Sequence, residues 1–182
     1  PHHEHSLYVC DDIGLSPATR LVFEKEASVF AADLLFVGDR FALESNNRPI
    51  NAATVKALAT KYSASFEATA RRMVEKSFRP CMLVVFKKEA RQSGDELSQL
   101  PTWGVRYCVA SPTFKTQYFE SLSGTVPPEV VALITPPGRD IADSHNMEVA
   151  VRFSGDEKEH QFSAEFFSNT YNIFCFMIPS GV

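Results

Sequence analysis

The amino-acid sequence predicts an α+β protein, with a helical N-terminal part followed by a sheet domain. Two observations predict this order. Before Pro80, apolar residues recur at helical spacing behind capping residues. After Pro80, short apolar runs and one alternating run are typical of strands, so we expect a mixed or antiparallel sheet.

The composition excludes several classes of protein. The chain has 182 residues, of which 45% are hydrophobic and 22% charged, and its formal charge is −4. These values exclude a disordered chain, a collagen-like chain and a basic nucleic-acid coat protein. No apolar run approaches the roughly 18 residues of a membrane span, and no signal segment opens the chain. The four cysteines are far apart without a Cys-x-x-Cys pair, so we expect reduced thiols and a cytoplasmic protein.

The helical part begins with a strong start signal. Ser16 is a predicted N-cap and Pro17 suits the first helical position, so we expect a helix to about Phe36 with Gly38 as its stop. A polar loop is expected next. Two short helices follow, residues 52–60 and a second one capped by Ser65 that ends before Pro80. Two short helices joined by a tight turn predict a helix-turn-helix shape.

The strands of the second part are predicted from runs of apolar residues. The last run is nearly all apolar and predicts a central strand. A helix is expected over residues 128–135, between loops over residues 91–102 and 136–146. The predicted strands cover residues 81–86, 104–110, 147–153, 161–167 and 171–178.

Glu24 is the one carboxylate that lies out of place on the first helix. At roughly 100° per residue it falls within the apolar arc, on one stripe with Ala27, Ala31 and Leu35. A carboxylate facing a core is costly unless it is paired, neutralised or bound to a metal. Two interpretations stay open: Glu24 pairs with Arg20 one turn earlier, or it is a functional carboxylate.

The segment Glu24-Lys-Glu-Ala27-Ser-Val-Phe30-Ala31-Ala-Asp-Leu34-Leu35 resembles a motif of the ImmA/IrrE family of zinc metallopeptidases, Glu-x-x-Ala-Asn-x-Phe-Ala-x-x-Leu-Leu. The following stretch, Leu58-Ala59-x-x-Tyr62-x-Ala64-Ser65-x-x-Ala68-x-x-x-Arg72-Met73, is similar to the family's helix-turn-helix-like element. Together the two stretches cover about residues 16–79. Ser28 departs from the family's usual Asn, and Phe36-Val37 from its usual Met-Pro.

The resemblance implies a zinc site that this sequence holds only in part. In the family, a His-Glu-x-x-His helix supplies two zinc ligands and the general base, and the glutamate that matches Glu24 supplies the third ligand. No such helix motif occurs here, since His3-Glu4-His5-Ser6-Leu7 has Leu in place of the second histidine. We therefore expect the sequence to begin just after the catalytic helix and this fragment to hydrolyse no peptides. Zinc would belong to the intact protein.

The resemblance also predicts domains and a role. Residues 1–50 would be the rest of a metallopeptidase domain, residues 51–79 the helix-turn-helix-like element, and residues 80–182 an α+β sensor-like domain. Family members cleave a transcriptional repressor in stress responses or in the control of mobile elements. Some carry a GAF-like domain after the peptidase, so the sheet domain is expected to be GAF/PAS-like and to bind a small-molecule effector.

A rival interpretation starts from charge. Residues 52–79 hold six basic and two acidic side chains, whereas the stretches before and after are acidic. DNA or a partner protein could contact Lys56, Lys61, Arg71, Arg72 and Lys76. However, the second helix of the pair opens with Ser65-Phe66-Glu67, which offers little to base edges, so a solvated basic face is the alternative. A non-enzymatic regulator, with an effector-binding sheet and this helix pair as its contact surface, is the rival function.

Histidines near the start form a second candidate cluster. Clustered imidazoles and a thiol can hold zinc adventitiously, but a polar, irregular start favours a solvated cluster without function. His145 and His160 are expected in surface loops. The cluster comprises His2, His3, His5 and Cys10.

Overall fold

The computed structural model describes residues 16–88, 103–118, 145–152, 158–169 and 171–181. The chain divides into two compact units, one ending at Gly38 and the other beginning at Asp39. None of the helices in the described ranges is both long and apolar enough to cross a membrane. The elements, in chain order, are α1 Pro17–Leu35, α2 Asp39–Asn46, α3 Ala52–Lys61, α4 Phe66–Glu75, β1 Met82–Lys88, β2 Trp103–Ala110, α5 Pro112–Tyr118, β3 His145–Arg152, β4 Glu159–Ser168 and β5 Asn172–Pro179.

Helix α1 has the start and stop that the sequence predicts. The Ser16 hydroxyl accepts a hydrogen bond from the Thr19 amide at 3.2 Å, and Pro17 follows the cap. After Leu35 the chain turns through Gly38, whose φ is +56° and whose amide donates to the Asp33 carbonyl at 2.8 Å. Because a left-handed backbone is costly for most residues, glycine suits this stop.

Two of the next three helices were predicted, and one was not. Asn51 caps α3 through the Thr54 amide, and Ser65 caps α4 through the Ala68 amide. The polar loop expected after Gly38 is wrong in its first half, because residues 39–46 form α2. This helix is short and buries Phe41, and its pattern covers too few turns to show helical periodicity in the sequence.

The strands form a five-stranded sheet within the described residues, in the order β2-β1-β5-β4-β3. Every neighbouring pair is antiparallel. The prediction of a central final strand is confirmed, since β5 lies in the middle of this order. Helix α5 was not predicted; the Ser111 hydroxyl caps it by accepting from the Phe114 amide at 3.1 Å.

Some sequence expectations lie outside the described residues. These are the helix over residues 128–135, the loop over residues 91–102 and most of the loop over residues 136–146. The surface loops expected for His145 and His160 are wrong, because both histidines belong to strands. The His160 ring is half-buried, with its centroid 5.2 Å from that of Tyr118.

The two faces of the sheet pack against different material. One face forms a buried cluster that α5 joins through Phe114. On the other face the Phe66 ring of α4 contacts Phe167 and Phe174, at centroid distances of 4.6 and 4.9 Å. The buried cluster contains Met82, Val84, Phe86, Ala110, Phe114, Val149, Val151, Phe162, Ala164, Phe166, Ile173, Cys175 and Met177.

The helix pair α3–α4 is bound to the sheet by a polar contact as well. The Ala52 amide at the start of α3 donates to the Glu165 carboxylate of β4 at 3.0 Å. Helix pair and sheet thus belong to one compact unit from Asp39 onward. Cys81, Cys108 and Cys175 are free thiols, and burial raises the pKa of each, whereas Cys10 lies outside the described residues.

Candidate functional site

Glu24 lies in the middle of α1, and its carboxylate reaches Arg20. The Arg20 Nε and Glu24 Oε1 atoms are 3.2 Å apart, and the Glu24 side chain is 65% exposed. The Ser28 hydroxyl donates to the Glu24 carbonyl at 2.7 Å, one turn along the same helix. The pairing with Arg20 that the sequence allowed is therefore present, in a solvent-exposed form.

The surroundings of Glu24 are apolar but uncovered. No residue of α1 is buried, although the helix carries large apolar side chains around its whole circumference. Val22 and Val29 project opposite Ala27 and Ala31, so the apolar surface is not confined to one stripe. The exposed large side chains are Leu21, Val22, Phe23, Val29, Phe30, Leu34 and Leu35.

The described part of the chain does not by itself fit a zinc site. A protein zinc site needs three or four ligands within about 2.3 Å of the metal. Among the described residues, no group of three His, Cys, Asp or Glu side chains is placed to hold a metal. Glu24 supplies one carboxylate, and Arg20 is its neighbour. The cluster of His2, His3, His5 and Cys10 lies outside the described residues.

Two of the predicted contact residues of the basic helix pair are already in ion pairs. Lys61 Nζ lies 2.7 Å from the Glu44 carboxylate of α2. Arg71 Nε lies 2.8 Å from Glu75 on α4, and this contact raises the pKa of Arg71. Both pairs would have to rearrange or share their cation before a phosphate could be bound.

The other three predicted contact residues differ in exposure. Arg72 is 7% exposed, so its guanidinium is turned into the unit rather than toward a ligand. The Lys56 ammonium lies 4.2 Å from the centroid of the Phe167 ring, in a cation–π contact with the sheet. Lys76 is exposed at the C-terminal end of α4.

Glu67 has a role that sequence reasoning missed. It accepts hydrogen bonds from Arg106 Nη1 at 2.8 and 3.0 Å and from the Tyr107 hydroxyl at 2.8 Å. Burial and the bond to Glu67 raise the pKa of Tyr107. These contacts connect α4 to the edge strand β2. Glu67 and Arg106 are 39 positions apart, so no local sequence pattern predicts their pairing.

Glu44 is a second carboxylate that connects elements. It accepts from Lys61, from Arg48 at 2.8 Å and from the Tyr62 hydroxyl at 2.9 Å, so it joins α2 to the end of α3. The Lys61 hydrogen bond is the largest cause that lowers the pKa of Glu44. Helix α3, the first of the basic helix pair, is therefore held to α2 by an ion pair as well as by apolar packing.

Comparison with models of known protein families finds no match for this chain. Comparison with curated protein sequences finds no significant match either. The resemblance to the ImmA/IrrE family therefore stays a prediction from the residues quoted above.

Proposed function

We propose that this chain is the C-terminal portion of an ImmA/IrrE-like zinc metallopeptidase that cleaves a transcriptional repressor in a stress response or in the control of a mobile element. The observation that carries the proposal is the state of α1. Large apolar side chains are spread around its circumference among five charged residues, and none of its residues is buried. Many large apolar side chains exposed together are typical of a surface that other structure covers, and α1 has such a surface.

In this proposal Glu24 is the third zinc ligand. It is the carboxylate that the family's second motif requires, and it stands on the exposed apolar helix beside Ala27 and Ala31. Small side chains at these two positions would allow another helix backbone to approach closely. The other ligands and the general base would come from a His-Glu-x-x-His helix, and without that helix we expect no hydrolysis by this chain.

The sheet is proposed to be a GAF/PAS-like sensor domain in a cytoplasmic protein. Its support is a five-stranded antiparallel sheet in the order 2-1-5-4-3 that follows the helical part, where some family members carry their GAF-like domain. Domains of this kind often bind a small-molecule effector. An effector bound there would control proteolysis of the repressor.

The second candidate is a non-enzymatic regulator whose helix pair contacts a partner or DNA. The excess of basic side chains over residues 52–79 favours it. The contacts of Lys61, Arg71 and Arg72 speak against a bare phosphate-binding face on the pair itself. This function needs neither zinc nor Glu24.

The test of the peptidase proposal starts with the coding sequence before Pro1. A His-Glu-x-x-His motif within about forty residues upstream is expected, and its absence there would overturn the proposal. In that longer protein, Glu24→Gln should abolish stoichiometric zinc because one ligand is lost. Glu26→Gln on the same helix is the matched control and should keep the metal. Zinc content measured by atomic emission decides, and equal zinc in both variants would remove Glu24 from the site.

A further inference from the structure

The loop between α4 and β1 presents an exposed aromatic ring between two cations. Phe78 is 70% exposed. It is flanked in the chain by Lys76 and Arg79, which are exposed as well. Most of the ring surface is thus uncovered and open to a ligand.

The loop backbone is held by side chains from two helices. The Phe78 amide donates to Asn46 Oδ1 of α2 at 2.8 Å, and Asn46 Nδ2 donates to the Lys76 carbonyl at 2.9 Å. On the other side, the Thr113 hydroxyl of α5 donates to the Phe78 carbonyl at 2.8 Å. Both backbone polar groups of Phe78 are thus satisfied, and the ring is presented from a fixed point. Fixing it in advance lowers the entropy cost of binding.

A third cation, Arg48, lies near the loop, but its charge is already paired. The Arg79 guanidinium donates to the Arg48 carbonyl, which brings Arg48 to the same end of the unit. In the part of the chain that the structure describes, the Arg48 side chain pairs with Glu44, while no ion pair involves Lys76 or Arg79. The end of α4 therefore combines an aromatic ring with positive charge in a chain whose net charge is −4.

We propose that this loop binds single-stranded nucleic acid, with a base stacked on Phe78 and the neighbouring phosphates held by Lys76 and Arg79. In a single strand, flat bases and charged phosphates alternate along the polymer, which matches a ring flanked by two cations. A duplex keeps its base faces stacked inside and would use the cations alone. An acidic peptide would likewise leave the ring without a flat partner.

The binding test uses the 182-residue chain and a fluorescein-labelled thymidine 12-mer, with fluorescence anisotropy at low salt. Phe78→Ala should weaken binding about 5- to 160-fold, the range for loss of one stacked base. Tyr171→Ala is the matched control, because Tyr171 is 78% exposed between residues without charge and should leave the affinity unchanged. Lys76→Gln should reduce the salt dependence by about 0.7 in the log–log slope, since one phosphate contact is lost.

A spectroscopic variant keeps the proposal falsifiable if the alanine variant is unstable. Phe78→Trp should retain binding, and stacking of the oligonucleotide should quench the fluorescence of the new indole. Phe78→Ala, which has Trp103 alone, gives the background signal. The proposal is overturned by absence of salt-dependent binding, by equal losses in Phe78→Ala and Tyr171→Ala, or by binding that Phe78→Ala does not change. If a 12-bp duplex bound as tightly as the single strand, the loop would contact phosphates through charge alone, without stacking. More effective competition by polyglutamate would indicate an acidic protein partner, and either result would contradict the proposal.

Discussion

Helices α1 and α4 begin alike and end up in opposite environments. Each follows a serine N-cap, and each is closed by a residue whose amide bonds back into the last turn. Yet α1 has 19 residues and buries none, whereas α4 has 10 residues and buries five. The difference shows that caps and propensity determine whether a helix forms, while burial depends on a partner surface. The sheet supplies that surface to α4 through Phe167 and Phe174.

The ion pairs of the two helices differ in the same manner. Arg20 and Glu24 lie one turn apart on α1, and both side chains are more than half exposed. Arg106 and Glu67 come from different elements, and the Tyr107 hydroxyl binds the same carboxylate. An exposed ion pair within one helix contributes little to the free energy of unfolding. Removing a carboxylate that binds two donors on another element costs more, because both donors lose their acceptor.

The largest expected effect contrasts a buried ring with an exposed one. Phe174→Ala should lower the free energy of unfolding by about 3–5 kcal/mol, because Phe174 is buried where α4 meets the sheet. Phe23→Ala on α1 should change it by less than about 0.5 kcal/mol, since Phe23 is 52% exposed. Urea denaturation followed by circular dichroism measures both. Equal losses would mean that α1 is covered in solution.

The next effect compares the two carboxylates. Glu67→Ala should cost about 1–3 kcal/mol, because Arg106 and the partly buried Tyr107 hydroxyl lose their acceptor. Glu24→Ala should cost less than about 0.5 kcal/mol in the same chain. Adding Tyr107→Phe to Glu67→Ala should recover part of the loss. A Glu67→Ala variant as stable as Glu24→Ala would show that the contact with β2 contributes nothing.

The smallest effect concerns pH and Glu44. Its pKa is lower in the folded chain than the ordinary 4.5, mainly through Lys61, so the charged form is stabilised by folding. The contribution should be complete above pH 4.5 and should disappear as the pH falls through the lower folded pKa. At pH 7 the free energy of unfolding of the wild type should exceed that of Glu44→Gln by about 0.5–1 kcal/mol. Urea midpoints at pH 7 and pH 3 check this, and a constant difference would contradict it.

The elements with strong local signals were predictable from the sequence. The Ser16-Pro17 start, the Ser65 cap and the alternating run around Val149 each became an element with bounds within a few residues of those expected. Helix α2 and helix α5 have only two turns each, too few for periodicity to register. Their existence depends on tertiary burial of Phe41 and Phe114.

The site was less predictable than the fold. Sequence reasoning singled out Glu24 and saw the alternative pairing with Arg20, which the structure contains. It could not foresee that Glu67 binds Arg106, that Arg72 is buried or that Phe78 is exposed. Each depends on which residues distant in the chain lie nearby, and no spacing rule encodes that. The zinc role of Glu24 stays a prediction.

The position of β5 has a consequence for the order in which the chain matures. This strand comes last in the sequence but pairs with β1 on one side and β4 on the other. Until it is synthesised, the strands are confined to two separate hairpins, β1–β2 and β3–β4. The platform for α4 is also incomplete, since Phe174 belongs to β5. Until β5 is synthesised, the core of this unit therefore cannot close, which leaves the apolar strands of both hairpins exposed to chaperones and to aggregation during translation.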